Sequence, residues 1–309
     1  MEQRNPRNYL FLLLKGMAMG AADVVPGVSG GTIAFISGIY EELISSIDGI
    51  RPSLLGIWKK SGFKAFWSAL NGNFLLAVFT GIAISVISLA RGISWLLDNH
   101  PILVWAFFFG LVLASVIYIA RQIERWNWSH LLVFLLGAGM AYLVINLPVS
   151  EDQSGLPFLF LSGALAVCAM ILPGISGAFI LVLLGSYRTV LEAVHNWDLN
   201  LLAVVAVGAV FGLLSFARLL KWMFARFKNI TLALLTGFIL GSLLKIWPWK
   251  EVLETREYED KIIVIREANV WPGQFEGDPM ILQAVGLALL GFALIFLLEG
   301  LATRKHSTS

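Results

Sequence analysis

The chain has a single cysteine, Cys168, in 309 residues, which excludes an internal disulfide framework. Its four histidines, His100, His130, His195 and His306, are scattered, and no group of His, Cys, Asp or Glu has metal-ligand spacing. No glycine-rich stretch ends in the lysine of a P-loop, so the sequence gives no support to a nucleotide-driven pump. Charge is sparse too: Asp, Glu, Lys and Arg make up 14% of the residues and the net charge is only +2, with nothing that marks a nucleic-acid partner.

Apolar residues take the place of all this. They form 58% of the chain, and the mean hydropathy of +0.80 is that of an integral membrane protein. Runs long enough to cross a bilayer recur at about Phe74–Leu97, Ile102–Ala120, Leu131–Leu147, Leu201–Phe224, Ile230–Trp247 and Met280–Leu298. None shows the alternation of a membrane β-barrel, so all are read as helices. The start, MEQRNPRNYLFLLLKGMAMGAA, imitates a secretory signal. Lys15 interrupts its apolar core, however, and the segment has an internal counterpart, so it is expected to stay as part of the fold.

That counterpart belongs to an internal repeat. PGVSGGTIAFISGIYEELI from Pro26 aligns with PGISGAFILVLLGSYRTVL from Pro173, matching Gly38 with Gly185 and Tyr40 with Tyr187, while Gly16 falls opposite Gly163. NFLLAVFTGIAISVISLARGISW from Asn73 aligns with NLLAVVAVGAVFGLLSFARLLKW from Asn200, setting Gly81 on Gly208 and Arg91 on Arg218. The same frame puts Gly110 on Gly237. Two hydrophilic insertions interrupt the match, a basic one at about 51–72 and a charged one at about 250–278. The expected fold is an all-α integral membrane protein of two inverted-topology repeats, residues 1–148 and 149–309. Each is a broken re-entrant hairpin, about 9–47 or 157–194, followed by three transmembrane helices, about 74–147 or 201–298.

The hairpin arms, Tyr9–Val25 and Thr32–Ile47, barely cross a core of about 30 Å at a rise of about 1.5 Å per residue, which favours a re-entrant pair. Three spans beyond each hairpin make an odd number of crossings, so the second half is expected to insert upside down. The charges agree with this topology. With the N-terminus inside, Arg4, Arg7, Lys15, Arg51, Lys59, Lys60, Lys64, Arg121, Arg125, Lys221, Arg226, Lys228, Arg304 and Lys305 are cytoplasmic. The outer segments are rich in acids, among them Glu151, Asp152, Glu251, Glu254, Glu257, Glu259 and Asp260. Both termini are then cytoplasmic.

Proline ends the first arm of each hairpin and glycine allows a sharp turn, so a helix restarts in mid-membrane with unpaired N–H groups. Those groups must line a cavity or bind something, and a helix N-terminus favours an anion. The candidate phosphate-binding residues are Gly27, Ser29, Gly30, Gly31 and Thr32 in the first half and Gly174, Ser176 and Gly177 in the second. A tight packed turn is the competing explanation. Arg91 and Arg218 lie about two turns inside their spans; they fit a pair of guanidiniums presented to one anion, or side chains snorkelling to the interface. Asp23 has Met170 as its counterpart, and either carries a coupling proton or bonds the exposed N–H groups. Glu41 is the second candidate for ion coupling.

LKGMAMGAADVVPGVSGGTIAFISGIYEELI, together with ILPGISGAFILVLLGSY, resembles the polyprenyl-phosphate transporter family over nearly the whole chain. The resemblance implies movement of undecaprenyl phosphate from the outer to the inner leaflet of the bacterial cytoplasmic membrane. It implies no catalysis and no cofactor, a lipid as partner, and, because an anion moves against a negative-inside potential, coupling to protons or sodium ions. Two other classes share this site physics. Membrane polyprenyl-pyrophosphate phosphatases carry a related PGxSRSG loop, but PGVSGGT and PGISGAF lack its arginine, and no general base or metal site stands nearby. A small-anion carrier would differ in needing no lateral opening to lipid.

Overall fold

The computed structural model describes residues 4–25, 28–150, 153–258 and 261–306. Pro26 and Gly27, and the acids Glu151, Asp152, Glu259 and Asp260, lie outside the described residues. The first half runs α1 (Pro6–Val24), α2 (Gly30–Ile36), α3 (Tyr40–Asp48), α4 (Ser53–Ala69), α5 (Gly72–Asn99), α6 (Pro101–Ala120) and α7 (Trp128–Asn146). The second runs α8 (Leu156–Ile171), α9 (Gly177–Leu183), α10 (Tyr187–His195), α11 (Leu199–Arg226), α12 (Lys228–Ser242) with a 3-10 turn over Leu243–Ile246, and α13 (Ile281–His306). Helices α5, α6, α7, α11 and α12 with its 3-10 turn are long and apolar enough to cross a membrane, and α13 carries a shorter apolar stretch, Ile281–Leu297.

Two expectations need correction. The fold is mostly helical rather than all-α, because the charged insertion contains an antiparallel hairpin of β1 (Lys250–Tyr258) and β2 (Lys261–Asn269). The unbroken β-branched run at 262–265 in KIIVIREAN, together with Val252 and Thr255 among the charges of KEVLETREY, carries the strand signal, which was masked by reading the insertion for charge alone. The basic insertion at 51–72 is likewise the helix α4, bent at Gly62, where φ is +79°. It presents Trp58 and Phe63 at the surface beside Lys59, Lys60 and Lys64.

The repeat frame runs through the packing. Helix α1 packs along α5 as α8 packs along α11, while α6 packs along α13 as α12 packs along α7. The third span of each half thus lies on the second span of the other. Glycine sets each crossing. A Cβ on Gly16 would strike the backbone of Val78, and one on Gly81 that of Leu13; their counterparts Gly163 and Gly208 would strike Val205 and Phe160. At the exchanged pairs, Gly110 meets Ala288 and Gly291 meets Phe107, as Gly237 meets Phe134 and Gly137 meets Leu234. Without a hydrophobic drive in lipid, such close backbone approach supplies the dispersion contact that holds helices together.

Both hairpins turn on the same device. Gly38, with φ +73°, ends α2, and Gly185, with φ +67°, ends α9. In each case the next N–H reaches back five residues, Ile39 to the Ala34 carbonyl and Ser186 to the Leu181 carbonyl, a left-handed helix stop. Helices α9 and α10 meet at 111°.

Candidate functional site

The two breaks meet inside the bundle. Proline at 173 leaves the last carbonyls of α8 without intrahelical partners, and the first half supplies them. Ser29 Oγ lies 3.1 Å from the Met170 carbonyl and 3.3 Å from that of Leu172, so its hydrogen is shared between them. The Tyr40 hydroxyl donates to the Ile171 carbonyl at 3.2 Å. Gly31 sits so close to this end that a Cβ would come within 2.6 Å of the Ile171 oxygen.

The first break is saturated. Gly30 N–H donates to Asp23 Oδ1 at 2.6 Å, Gly31 N–H to Ser29 Oγ at 3.1 Å, and Thr32 N–H to the Ser29 carbonyl at 2.9 Å. Of the two roles weighed for Asp23, the carboxylate takes the second here and holds an N–H of the broken helix. Every residue from Gly30 to Phe35 is buried, and the Thr32 hydroxyl is enclosed without a hydrogen-bond partner among the described residues.

The second break is open. Ser176 caps nothing, and the N–H groups of Gly177, Ala178 and Phe179 make no hydrogen bond among the described residues. Ala178 is exposed, and of α9 only Ile180 and Leu183 are buried. Gly174 adopts φ +98° and lies against the Ser242 side chain, so no larger residue fits there.

Beside α9 a cavity of about 730 Å³ is lined by Tyr142, Asn146, Phe179, Leu183, Lys245 and Glu267, with further residues of α7 and the β-hairpin. Glu267 Oε1 accepts from both Lys245, at 2.9 Å, and Lys250, at 2.8 Å. Lys245 Nζ also sits 5.0 Å from the Phe179 ring and Lys250 Nζ 4.2 Å from the Trp105 ring. Burial pushes Lys250 down to about 8 despite the Glu267 carboxylate, which in turn is held below its ordinary value by the two lysines. Sequence reading missed this cluster; the signal was present in Lys245 and Lys250 at the end of an aromatic-rich span, WPWK.

The arginines stand apart from one another in their chemistry. Arg218 Nε lies 3.4 Å from Asp48 Oδ1, while Lys221 and Arg51 reach Asp48 Oδ2 at 2.9 and 2.6 Å. Arg91 is exposed and makes no hydrogen bond or ion pair among the described residues. Glu41 is exposed and pairs with Lys228 at 2.9 Å. Asp48, the hub of this cluster, was not singled out from the sequence, where it reads as an ordinary acid at the end of an arm.

Interrupted helices that meet within a membrane-crossing bundle, beside a cavity with charged walls, define a multi-pass membrane protein with a buried polar site. More particularly, the chain belongs to the undecaprenyl phosphate translocase-like family, described as VCA0040-like, whose model matches residues 19–263. It is 48% identical over 302 residues to a Vibrio cholerae protein named polyprenyl-phosphate transporter, covering 96% of this chain and 98% of that one. A Staphylococcus aureus protein of the same name is 31% identical over 254 residues, 76% of this chain and 85% of its own. These relatives are named as transporters, not enzymes. No solved structure matches the chain.

Proposed function

We propose that this chain moves polyprenyl phosphate, with undecaprenyl phosphate as its natural form, from the outer to the inner leaflet of the bacterial cytoplasmic membrane. The carrier lipid is thereby returned for cell-envelope polysaccharide synthesis. The two relatives named as polyprenyl-phosphate transporters support the substrate. The observation that carries the mechanism is the contrast between the breaks: one with its N–H groups bonded and buried, the other with N–H groups that make no hydrogen bond among the described residues, on a helix whose Phe179 and Leu183 line a cavity. Two equivalent sites in opposite states are what alternating access requires of a single conformation.

Inverted topology has support from the same contacts. Asn71, at the start of α5, bonds Glu42 and Ser46 of α3, and Lys221, near the end of α11, bonds Asp48 of α3. The start of one span and the end of its counterpart therefore share one face, which the basic residues make the cytoplasmic one. The phosphate enters at Gly174, Ser176 and Gly177 and leaves past Gly27, Ser29, Gly30, Gly31 and Thr32, with Arg91 and Arg218 as charge partners on the two sides. Buried N–H donors and guanidiniums replace headgroup water, offsetting a cost of several kcal/mol.

Inward movement of an anion opposes the membrane potential by about 2.3 kcal/mol per charge per 100 mV, so a proton or sodium ion accompanies it. Asp23 suits this role better than the exposed Glu41: a proton on its carboxylate weakens the bond to Gly30 and frees that N–H for phosphate. The test is ligand-dependent thermal stabilisation of the purified protein. Polyprenyl phosphate is expected to raise the melting temperature, and polyprenol and inorganic phosphate to leave it unchanged. Equal stabilisation by inorganic phosphate would point to a small-anion carrier, and release of phosphate from polyprenyl pyrophosphate to an enzyme; either result contradicts the proposal.

A further inference from the structure

The saturated and open breaks are accompanied by a second asymmetry, at the ends of the hairpins. Helix α3, while still bonded to Asn71 of its own half, packs on α11 of the other, burying Tyr40, Ile44, Ile47 and Asp48. Its counterpart α10 buries only Ala193, and it lies on α11 of its own half rather than on α5. The repeat frame makes α10 on α5 the equivalent of α3 on α11. One of two equivalent inter-half contacts is therefore made and the other is not.

Side chains follow the same division. At the made contact, the Asp48 carboxylate is 1% exposed and gathers Arg51, Arg218 and Lys221 around it. A carboxylate stripped of water in this way is stable only while cations surround it, so Asp48 ties α3 to α11. At the unmade contact the positions of Asp48, Arg218 and Lys221 are held by His195, Arg91 and Ser94, while Arg51 begins an insertion without a counterpart and Asp198 falls opposite Asn71. Asp198, the nearby acid, caps α11, accepting from the N–H groups of Asn200 and Leu201 at 3.2 and 3.1 Å. Arg91 is left without a carboxylate.

We propose that Asp48 is the positioning residue of the transport cycle: its bonds to Arg218 and Lys221 close the cytoplasmic end and withdraw Arg218 from the lipid phosphate, while the absence of its equivalent at His195 leaves Arg91 free to receive that phosphate at the outer end. This inference rests on the transport reading for the identity of the anion, but the closure itself does not. Release of phosphate inward then requires α3 to leave α11, which frees Arg218, 62% exposed even in this pair, from its carboxylate. Asp48 touches no substrate; it sets which arginine is available.

The experiment uses the full chain with Cys168→Ser, and a single reporter cysteine at either Ala178→Cys, in the open break, or Thr32→Cys, in the buried one. The rate of labelling by a polar maleimide reports the accessibility of each. In the parent, the cysteine at 178 is expected to label fast and that at 32 slowly. Asp48→Asn is expected to slow the first and speed the second several-fold, Asp48→Glu to leave both near the parent rates, and His195→Asp, which supplies Arg91 with a carboxylate, to shift both in the same sense as Asp48→Asn. Unchanged rates in a folded Asp48→Asn protein, or faster labelling at both positions together, would overturn the proposal, the latter by showing general loosening. Labelling needs no lipid substrate, so an opposite shift at the two sites in a protein that moves no polyprenyl phosphate would uphold the closure and overturn the transport reading alone.

Discussion

Ser29 and Ser176 hold the same place in the two halves, yet only Ser29 is engaged, tying Gly31 N–H to the carbonyls at the end of α8. Replacing Ser29 by Ala removes a cap and a donor to the part-buried Met170 and Leu172 carbonyls, and is expected to cost about 1–2 kcal/mol, read as a lower melting temperature. Ser176→Ala removes no bond and is expected to leave the melting temperature unchanged while weakening the stabilisation produced by polyprenyl phosphate. The opposite pattern, with Ser176→Ala the destabilising change, would mean that the open break is the structural one. From the sequence both serines were legible as members of one device. Their different occupations were not, because pairing depends on which half leans on the other, and identical motifs carry no record of that.

The elements themselves were written more plainly. Apolar length and the matched glycines placed the long spans, and the PGxSG motifs placed both breaks, because a proline without an N–H and a run of small residues have few conformations open to them in lipid. The β-hairpin and α4 were read only as insertions, since charge marks the aqueous face of an element without specifying its period. The exchange of third spans between halves was likewise invisible: pairing of α6 with α13 and α7 with α12 is tertiary, and it is seen only in the folded chain, in close approaches such as those at Gly110 and Gly237. Gly110→Leu and Gly237→Leu are each expected to cost about 1–3 kcal/mol or more through overpacking, whereas Gly139→Leu on α7, with open space around it, is expected to be tolerated. Melting temperature and size-exclusion profile measure the difference; equal tolerance of all three would contradict the crossings.

At the scale of the molecule, each half completes the other. The first half satisfies the broken end of α8, α3 closes on α11, and every third span rests on a foreign neighbour, so neither half holds its polar groups alone. On the transport proposed above, such a pair exchanges roles by rocking, and the free donors of one break become those of the other. Under the same proposal, the free Arg91 and the bound Arg218 mark the direction in which this conformation faces. The most direct measurement is leaflet movement of labelled polyprenyl phosphate in liposomes containing the purified protein, under an imposed ion gradient and beside protein-free vesicles. Movement is expected to be accelerated by the wild type, and diminished by Arg91→Ala in protein whose melting temperature is retained. Equal rates with and without folded protein, in either orientation of the gradient, would contradict transport by this chain.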